Sequence, residues 1–80
     1  MWNEENHRLA RDFAFNSFAE ALEFINQVGQ IAERQNHHPT ILNTYNRVRL
    51  ELTTHDAGNT VTDKDWDLAR AIDGISPASA

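Results

Sequence analysis

The chain has 80 residues, enough for one small domain, and carries a formal net charge of −5. This acidic balance argues against a protein that binds nucleic acid or an anionic membrane surface, because both partners select clustered lysine and arginine side chains. The absence of cysteine excludes disulfide scaffolds, thiol catalysis and zinc sites built on cysteine.

Apolar residues alternate near the start of the chain. Leu9, Phe13 and Phe15 fall on one side of an extended segment, although Arg11 interrupts the series. Alternation of this kind is typical of a half-buried strand. We therefore predict a strand over residues 9–15, preceded by a flexible end over residues 1–8.

A helix is predicted to follow. Ser17 and Glu20 have the spacing of a capping box, which satisfies free backbone amides in the first turn. Apolar residues recur at three- and four-residue steps on one face, with two more on a flanking stripe: Phe18, Ala21, Leu22, Ile25, Val28 and Ala32, then Phe24 and Ile31. This arc is wider than contact with one sheet needs, so we expect its edge to contact a partner. Pro39 predicts that the helix ends near Asn36.

Two strands joined by a bend are predicted next, over residues 41–45 and 48–54. The second alternates apolar with polar positions, and its apolar residues are Val48, Leu50 and Leu52. Such alternation indicates a strand with one buried face. The two segments together predict an antiparallel hairpin.

A turn and a second helix complete the pattern. Residues 56–59 have turn composition. Thr62 is the predicted N-cap, with Asp63 and Asp65 in the first turn, where the helix dipole favours negative charge. The apolar stripe of this helix is Leu68, Ala69 and Ile72. Gly74 is predicted to end it.

The order strand, helix, strand, strand, helix predicts an α+β fold in which helices pack on one face of a small antiparallel sheet. A right-handed crossover fits the first helix. We expect one domain over residues 1–80, with residues 75–80 as a second flexible end. A domain this small covers its apolar surface incompletely, so we expect it to oligomerise. No apolar run is long enough to span a bilayer and no secretory signal is visible, so a cytoplasmic protein is expected.

Three of the four histidines lie where predicted elements end. His37 and His38 follow the first helix, and His55 follows the last strand. Sites form at such positions, and imidazole can both donate and accept a proton near neutral pH. We therefore infer a histidine-lined pocket. A metal site on Glu33, His37 and His55 is the disfavoured alternative, because adjacent histidines on a regular element point apart, and we expect no metal.

These residues belong to a longer spaced pattern: Glu33, His37, His38, Pro39, Tyr45, His55 and Asp65. Flanking segments extend it from Phe13 to Ile72, including the run Thr54-His55-Asp56-Ala57. The pattern resembles the signature of the pterin-4a-carbinolamine dehydratases. This resemblance implies an enzyme that removes water from 4a-hydroxytetrahydrobiopterin to give the quinonoid dihydropterin, as part of tetrahydrobiopterin recycling.

The resemblance also implies roles for individual residues. His37 and His55 share the roles of general acid and base, in an order left open, and His38 binds and orients the pterin. Four further positions are expected to line the pocket: Pro39, Thr54, Asp56 and Ala57. Glu33 is expected to hold a histidine in one tautomer, and Asp65 either to cap the second helix or to orient His55. No cofactor is implied, because the pterin is the substrate.

The resemblance further implies a homodimer or homotetramer and a functional link to an aromatic amino acid hydroxylase. Two non-dehydratase alternatives stay open. One is a protein-dimerisation module that serves as a transcriptional cofactor, and the other is a pterin-binding protein of a molybdopterin-related pathway. The three histidines favour the enzyme, because a scaffold has no need of three imidazoles.

Overall fold

The computed structural model describes residues 1–75, which form a four-stranded antiparallel sheet with two α-helices. The elements follow one another as β1 (Asn3–Glu5), β2 (Arg8–Ala14), α1 (Phe18–Gln35), β3 (Thr40–Thr44), β4 (Arg47–Leu52) and α2 (Asp63–Asp73), with a 3-10 turn at His55–Ala57. The predicted α+β class is confirmed. The flexible end predicted over residues 75–80 lies, apart from Ile75, outside the described residues.

The sheet has the strand order β1-β2-β4-β3. β4 pairs antiparallel with both of its neighbours. β2 and β3 therefore run parallel to each other with β4 between them, and α1 is the crossover that connects them. The β3–β4 hairpin, closed by the pair Thr44 and Arg47, confirms the hairpin predicted from sequence.

β1 is an edge strand that the sequence analysis did not predict, since residues 1–8 were expected to be a flexible end. Asn3 pairs with Ala10 and Glu5 pairs with Arg8. The two residues between the strands, Asn6 and His7, have φ values of 51° and 64°. Two positive φ values in a two-residue loop match the twist of a tight hairpin, which fixes the pairing of β1 with β2.

The core lies between the sheet and the inner face of α1. The rings of Phe13 and Phe24 are 4.7 Å apart between centroids, and those of Phe15 and Phe24 are 5.1 Å apart. The predicted inner face of α1 was wrong in part, because Phe24 is buried whereas Phe18 and Leu22 are 45% and 43% exposed. The contact with Phe13 in β2 and Phe15 just after it sets this rotation of the helix.

Both ends of α1 are fixed by local hydrogen bonds. The Ser17 hydroxyl accepts a hydrogen bond from the Glu20 amide at 3.1 Å. A full capping box would also have the Glu20 carboxylate accept from the Ser17 amide, but here it accepts from the Asn16 amide instead. At the other end Asn36 adopts a left-handed conformation with φ 51°, and the His37 amide donates to the Ala32 carbonyl at 3.1 Å. The predicted end near Asn36 is confirmed.

The outer face of the sheet carries a network of charged side chains. Arg49 pairs with Glu5, Asp12 and Glu51, and Arg8 also pairs with Glu51. Hydrogen bonds from Arg49 and then Arg8 lower the pKa of the Glu51 carboxyl below its ordinary value. The pKa of Arg49 is raised above its ordinary value, mainly by the hydrogen bond to Glu51 and next by the hydrogen bond to Glu5.

Arg11 does not disturb β2, because its guanidinium lies 4.5 Å over the ring of Phe13 and donates to Asp73 at 2.6 Å. The Trp2 indole donates to the same carboxylate at 2.8 Å, which ties the start of the chain to the end of α2. Neither helix within residues 1–75 combines the length and apolar content that a membrane span requires.

Candidate active site

A cleft of about 450 Å³ opens at one end of the sheet, between the turn that follows α1 and the turn that follows β4. Its walls contain Asn36, His37, His38, Pro39, Thr40, Thr53, Thr54, His55, Asp56 and Lys64. The structure thus brings together three histidines from two distant parts of the sequence. Of the pocket positions expected from sequence, Pro39, Thr54 and Asp56 line the cleft. Ala57 lies in the adjoining 3-10 turn but outside the cleft wall.

The segment that carries His55 is shaped by backbone hydrogen bonds at the end of β4. The amide of the buried residue Thr54 donates to the Thr60 carbonyl at 3.0 Å, and the Gly58 amide donates to the His55 carbonyl at 3.0 Å. Gly58 has a φ of 82°, in the left-handed region where glycine is favoured. The chain therefore turns sharply after Thr54, and His55 stays at the rim of the sheet.

Asp65 joins three segments of the chain beneath the cleft. Its side chain is fully buried, and Oδ2 accepts from the Thr54 hydroxyl at 2.7 Å and from the Thr62 amide at 2.9 Å. The second interaction confirms that Asp65 caps α2. Its other oxygen, Oδ1, lies 2.6 Å from Nε2 of His37. The histidine that Asp65 contacts is thus His37, whereas the sequence analysis named His55 as the one it could orient.

The partner of His37 determines where its proton lies. An ionised carboxylate can only accept a hydrogen bond, so the bond to Asp65 places a proton on Nε2 of His37. Nδ1 is then the nitrogen that can accept a proton. Only 12% of the His37 side chain is exposed.

His55 is held in the opposite manner. Its Nδ1 lies 2.6 Å from Oδ1 of Asn59, an amide oxygen that accepts a hydrogen bond. Nδ1 of His55 therefore carries the proton and Nε2 can accept one. Asn59 has a φ of 59°, so the left-handed turn that ends the His55 segment also positions its partner. Sequence reasoning missed Asn59, although its position four residues after His55 within predicted turn residues was a signal.

His38 and Glu33 form a separate pair on the solvent side of the cleft. Nε2 of His38 lies 2.5 Å from Oε2 of Glu33, and the two side chains are 55% and 77% exposed. Glu33 was expected to hold a histidine without that histidine being identified, and the structure places it against His38. This pair is much more exposed than the pair formed by His37 and Asp65.

Lys64 also lines the cleft, and sequence reasoning did not select it. It is the only lysine of the chain. Its position next to Asp65 in the predicted first turn of α2 was the available signal. Within residues 1–75, no group of three or more His, Cys, Asp or Glu side chains is arranged to hold a metal ion.

This arrangement suits proton transfer in two directions. His37 and His55 each have one nitrogen fixed by a hydrogen bond to a neighbouring side chain and a second nitrogen able to exchange a proton. A pair of imidazoles on one cleft can remove a proton from one atom of a bound molecule while delivering a proton to another. The partners differ in charge, since Asp65 is anionic and Asn59 is neutral.

Comparison with known proteins finds a consistent set of relatives. The family model described as Pterin 4 alpha carbinolamine dehydratase matches residues 1–75. Proteins provisionally named pterin-4-alpha-carbinolamine dehydratase include one from Sulfolobus acidocaldarius, 45% identical over 92% of this chain and 80% of its own length. Another, from Chloroflexus aurantiacus, is 50% identical over 92% of this chain and 78% of its own length.

Solved structures with the same fold carry more than one description. A Brucella melitensis protein described as a transcriptional coactivator/pterin dehydratase superposes with a TM-score of 0.88 and 36% identity, over 95% of this chain and 82% of that protein. A pterin dehydratase-like protein identified as a RuBisCO assembly factor in the alpha-carboxysome has a TM-score of 0.79 over 99% of this chain and 92% of its own. Its identity is 23%, so this second likeness concerns the fold alone.

Proposed function

The chain belongs to the pterin 4 alpha carbinolamine dehydratase family, and from this premise we propose that it dehydrates 4a-hydroxytetrahydrobiopterin to the quinonoid dihydropterin. The proposal includes a cytoplasmic homodimer or homotetramer that serves an aromatic amino acid hydroxylase, which forms the 4a-hydroxypterin. His38, Pro39, Thr54 and Asp56 would contact the pterin, with Ala57 behind them. No metal or cofactor takes part in the proposed reaction.

The observation that carries this proposal is the presence of His37, His38 and His55 in the wall of one cleft. The reaction needs a proton delivered to the hydroxyl on C4a, because hydroxide is a poor leaving group. It also needs a proton removed from N5 as the C4a=N5 bond forms. Two histidines, one acting as acid and the other as base, meet both needs without a metal.

The hydrogen-bond partners favour one division of roles. Nε2 of His37 is fixed by the carboxylate of Asp65, which leaves Nδ1 to face the substrate, so we assign His37 as the acid that protonates the leaving hydroxyl. His55 is bonded to the neutral amide of Asn59, so we assign it as the base that takes the N5 proton. Water leaves, His37 becomes neutral and His55 becomes charged, and exchange with solvent restores both.

A coupled assay tests the proposal. A phenylalanine hydroxylase generates the 4a-hydroxypterin in solution, and ultraviolet absorbance follows its decay with and without this protein. We expect the wild-type protein to accelerate the decay, and His37→Ala and His55→Ala each to lose about 100-fold or more of the acceleration, the usual contribution of one acid or base.

His7→Asn is the matched control, since it removes a histidine that lies in the β1–β2 turn and keeps a residue that tolerates positive φ. Circular dichroism of each variant separates lost chemistry from lost folding. A wild-type protein that leaves the decay unchanged would overturn the dehydratase proposal. If such a protein still binds a reduced pterin, the non-catalytic alternatives named above become the better account.

A further inference from the structure

Lys64 stands in the wall of the cleft, and the mechanism proposed above gives it no role. Of the residues that line the cleft it is the only one with a permanent positive charge, and Asp56 is the only carboxylate. Lys64 lies in the first turn of α2. A cation is disfavoured there, because the start of a helix is the positive end of its dipole. The stability of α2 therefore does not account for a lysine at this position.

The ammonium of Lys64 forms no hydrogen bond or ion pair with any side chain of residues 1–75. The acids nearest to it in sequence are engaged elsewhere or point to solvent. Asp65 is buried and holds His37, and Asp67 accepts from Arg70 at 2.6 Å. The charge of Lys64 is thus available to a molecule bound in the cleft.

Two observations place Lys64 on the side of the cleft that carries His37. Lys64 immediately precedes Asp65, whose Oδ1 lies 2.6 Å from Nε2 of His37. Lys64 and His37 also share the wall of a second hollow, of about 400 Å³, which His55 does not border. The one free cation of the cleft wall and the histidine assigned as the acid therefore border the same side.

The proposed reaction builds charge on one atom at that side. As the C4a–O bond breaks, its electron pair goes to the hydroxyl oxygen, while the N5–H pair forms the C4a=N5 bond. His55 takes the N5 proton, and His37 gives a proton to the oxygen, which leaves as water. Until that proton is fully transferred the oxygen is partly negative, so a cation held beside it lowers the barrier.

We propose that Lys64 is a further catalytic residue, whose ammonium donates a hydrogen bond to the leaving 4a-hydroxyl beside Nδ1 of His37. Lys64 keeps its proton throughout, and His37 supplies the proton that departs with the oxygen. This inference rests on the proposed dehydratase function, because it concerns the oxygen that the reaction removes.

Lys64→Met tests the role through three measurements. In the coupled assay we expect kcat to fall about 10- to 100-fold with little change in KM, as for a charged hydrogen bond made mainly in the transition state. Binding of 7,8-dihydrobiopterin, which lacks the 4a-hydroxyl, should change by less than about twofold when followed by fluorescence. The Tm should stay the same or rise, because a cation leaves the start of α2.

The absence of cysteine from the chain allows the cation to be removed and then restored in one protein. Lys64→Cys introduces a single thiol at an exposed position, and 2-bromoethylamine converts it to a thioether of nearly the length of lysine that ends in an ammonium. Iodoacetamide gives a neutral thioether of similar size. We expect the first product to regain most of kcat and the second to remain as slow as Lys64→Met. Wild-type protein treated with either reagent should keep its kcat.

Two variants complete the comparison. Lys64→Arg keeps a cationic donor and should retain more kcat than Lys64→Met. Arg34→Gln removes an exposed cation from the last turn of α1, outside the cleft, and should retain full kcat.

The outcomes separate this inference from the proposed function. Full kcat in Lys64→Met, or equal recovery with the cationic and the neutral thioether, would overturn the role of Lys64 and leave the dehydratase proposal standing. Weakened binding of 7,8-dihydrobiopterin by the same factor as the loss of kcat/KM would also overturn it, since Lys64 would then bind the ring and not the hydroxyl. A wild-type protein that leaves the 4a-hydroxypterin decay unchanged overturns both proposals.

Discussion

His37 and Asp65 meet at 2.6 Å between Nε2 and Oδ1, although they are 28 positions apart in the chain. His37 follows the last turn of α1 and Asp65 lies in the first turn of α2. The carboxylate is fully buried and the imidazole nearly so. One hydrogen bond therefore couples the docking of the two helices to the tautomer and orientation of a cleft histidine.

This pair gives the first prediction. Asp65→Asn should lower kcat about 10- to 100-fold, because an amide NH₂ facing Nε2 favours the tautomer of His37 with its proton on Nδ1. The same change should lower the free energy of unfolding by about 1–3 kcal/mol, since a buried acceptor of three hydrogen bonds is altered. The coupled assay and urea denaturation measure the two effects.

Asp63→Asn is the control for that variant, because Asp63 is an exposed carboxylate in the same helical turn. We expect it to retain kcat and to lose a few tenths of a kcal/mol from the helix-dipole interaction. Full kcat in Asp65→Asn would show that Asp65 serves only to cap the helix.

Thr54→Val isolates the buried support of Asp65. The Thr54 hydroxyl lies 2.7 Å from both Asp65 Oδ2 and the Thr62 hydroxyl. Valine keeps the shape and removes both bonds, so the free energy of unfolding should fall by about 1–3 kcal/mol. Thermal or urea denaturation gives this value.

Thr54→Ser restores the hydroxyl and should recover most of that loss. Thr53→Val is the neighbouring control, because the Thr53 hydroxyl bonds the His7 carbonyl at an exposed position. Equal losses in Thr53→Val and Thr54→Val would contradict a special contribution from the buried network.

Asn59→Gly tests the positioning of His55. Glycine adopts the left-handed conformation of Asn59 without strain, so the turn should persist while the acceptor for Nδ1 of His55 is removed. We expect kcat to fall about tenfold, with KM changed little, because the base loses its fixed tautomer and orientation. Steady-state kinetics in the coupled assay measure both constants.

Asn6→Gly provides the matched change, since Asn6 is also a left-handed asparagine but lies in the β1–β2 turn, away from the cleft. Its kcat should equal that of the wild-type protein. If kcat fell by a similar factor in Asn59→Gly and Asn6→Gly, the loss would come from backbone flexibility and not from the positioning of His55.

The charged network on the outer face of the sheet predicts a pH effect on stability. Because Arg49 and Arg8 lower the pKa of Glu51 in the folded state, the contribution of Glu51 is fully present above the unfolded pKa of 4.5. It is lost as the pH falls through the lower folded value. Glu51→Gln should therefore cost about 0.5–1 kcal/mol at pH 7, a modest amount because the partners face solvent.

The difference between wild type and Glu51→Gln should disappear in strongly acidic solution, which urea denaturation at a series of pH values can measure. Glu4→Gln changes an exposed carboxylate of β1 outside this network and should show no such pH-dependent difference. A constant difference between wild type and Glu51→Gln at all pH values would contradict the electrostatic origin.

Elements with a strong apolar period could be predicted from sequence, because burial of one face decides both their type and their register. β4 is the clear case, since Val48, Leu50 and Leu52 are all buried as their alternation predicted. β1 has no such period. Its residues Asn3–Glu5 are all exposed, and the strand exists through backbone pairing and the Asn6–His7 turn.

The residues of the cleft were found from sequence more readily than their partners. His37, His38 and His55 were recognisable through their chemistry and spacing. The pairing of Asp65 with His37 depends on how α1 and α2 pack against each other, which no local pattern specifies. Asn59 and Lys64 were missed for another reason, because a turn residue and a helix-start lysine have common structural roles elsewhere.

The caps at both ends of α1 limit how many residues this helix can contain. Ser17 fixes one end of the helix and the left-handed Asn36 fixes the other, with His37 bonded back to Ala32. One residue inserted between these caps would rotate everything after it by about 100° and advance it by about 1.5 Å. The number of residues in α1 is thus set by the position that the cleft requires of His37.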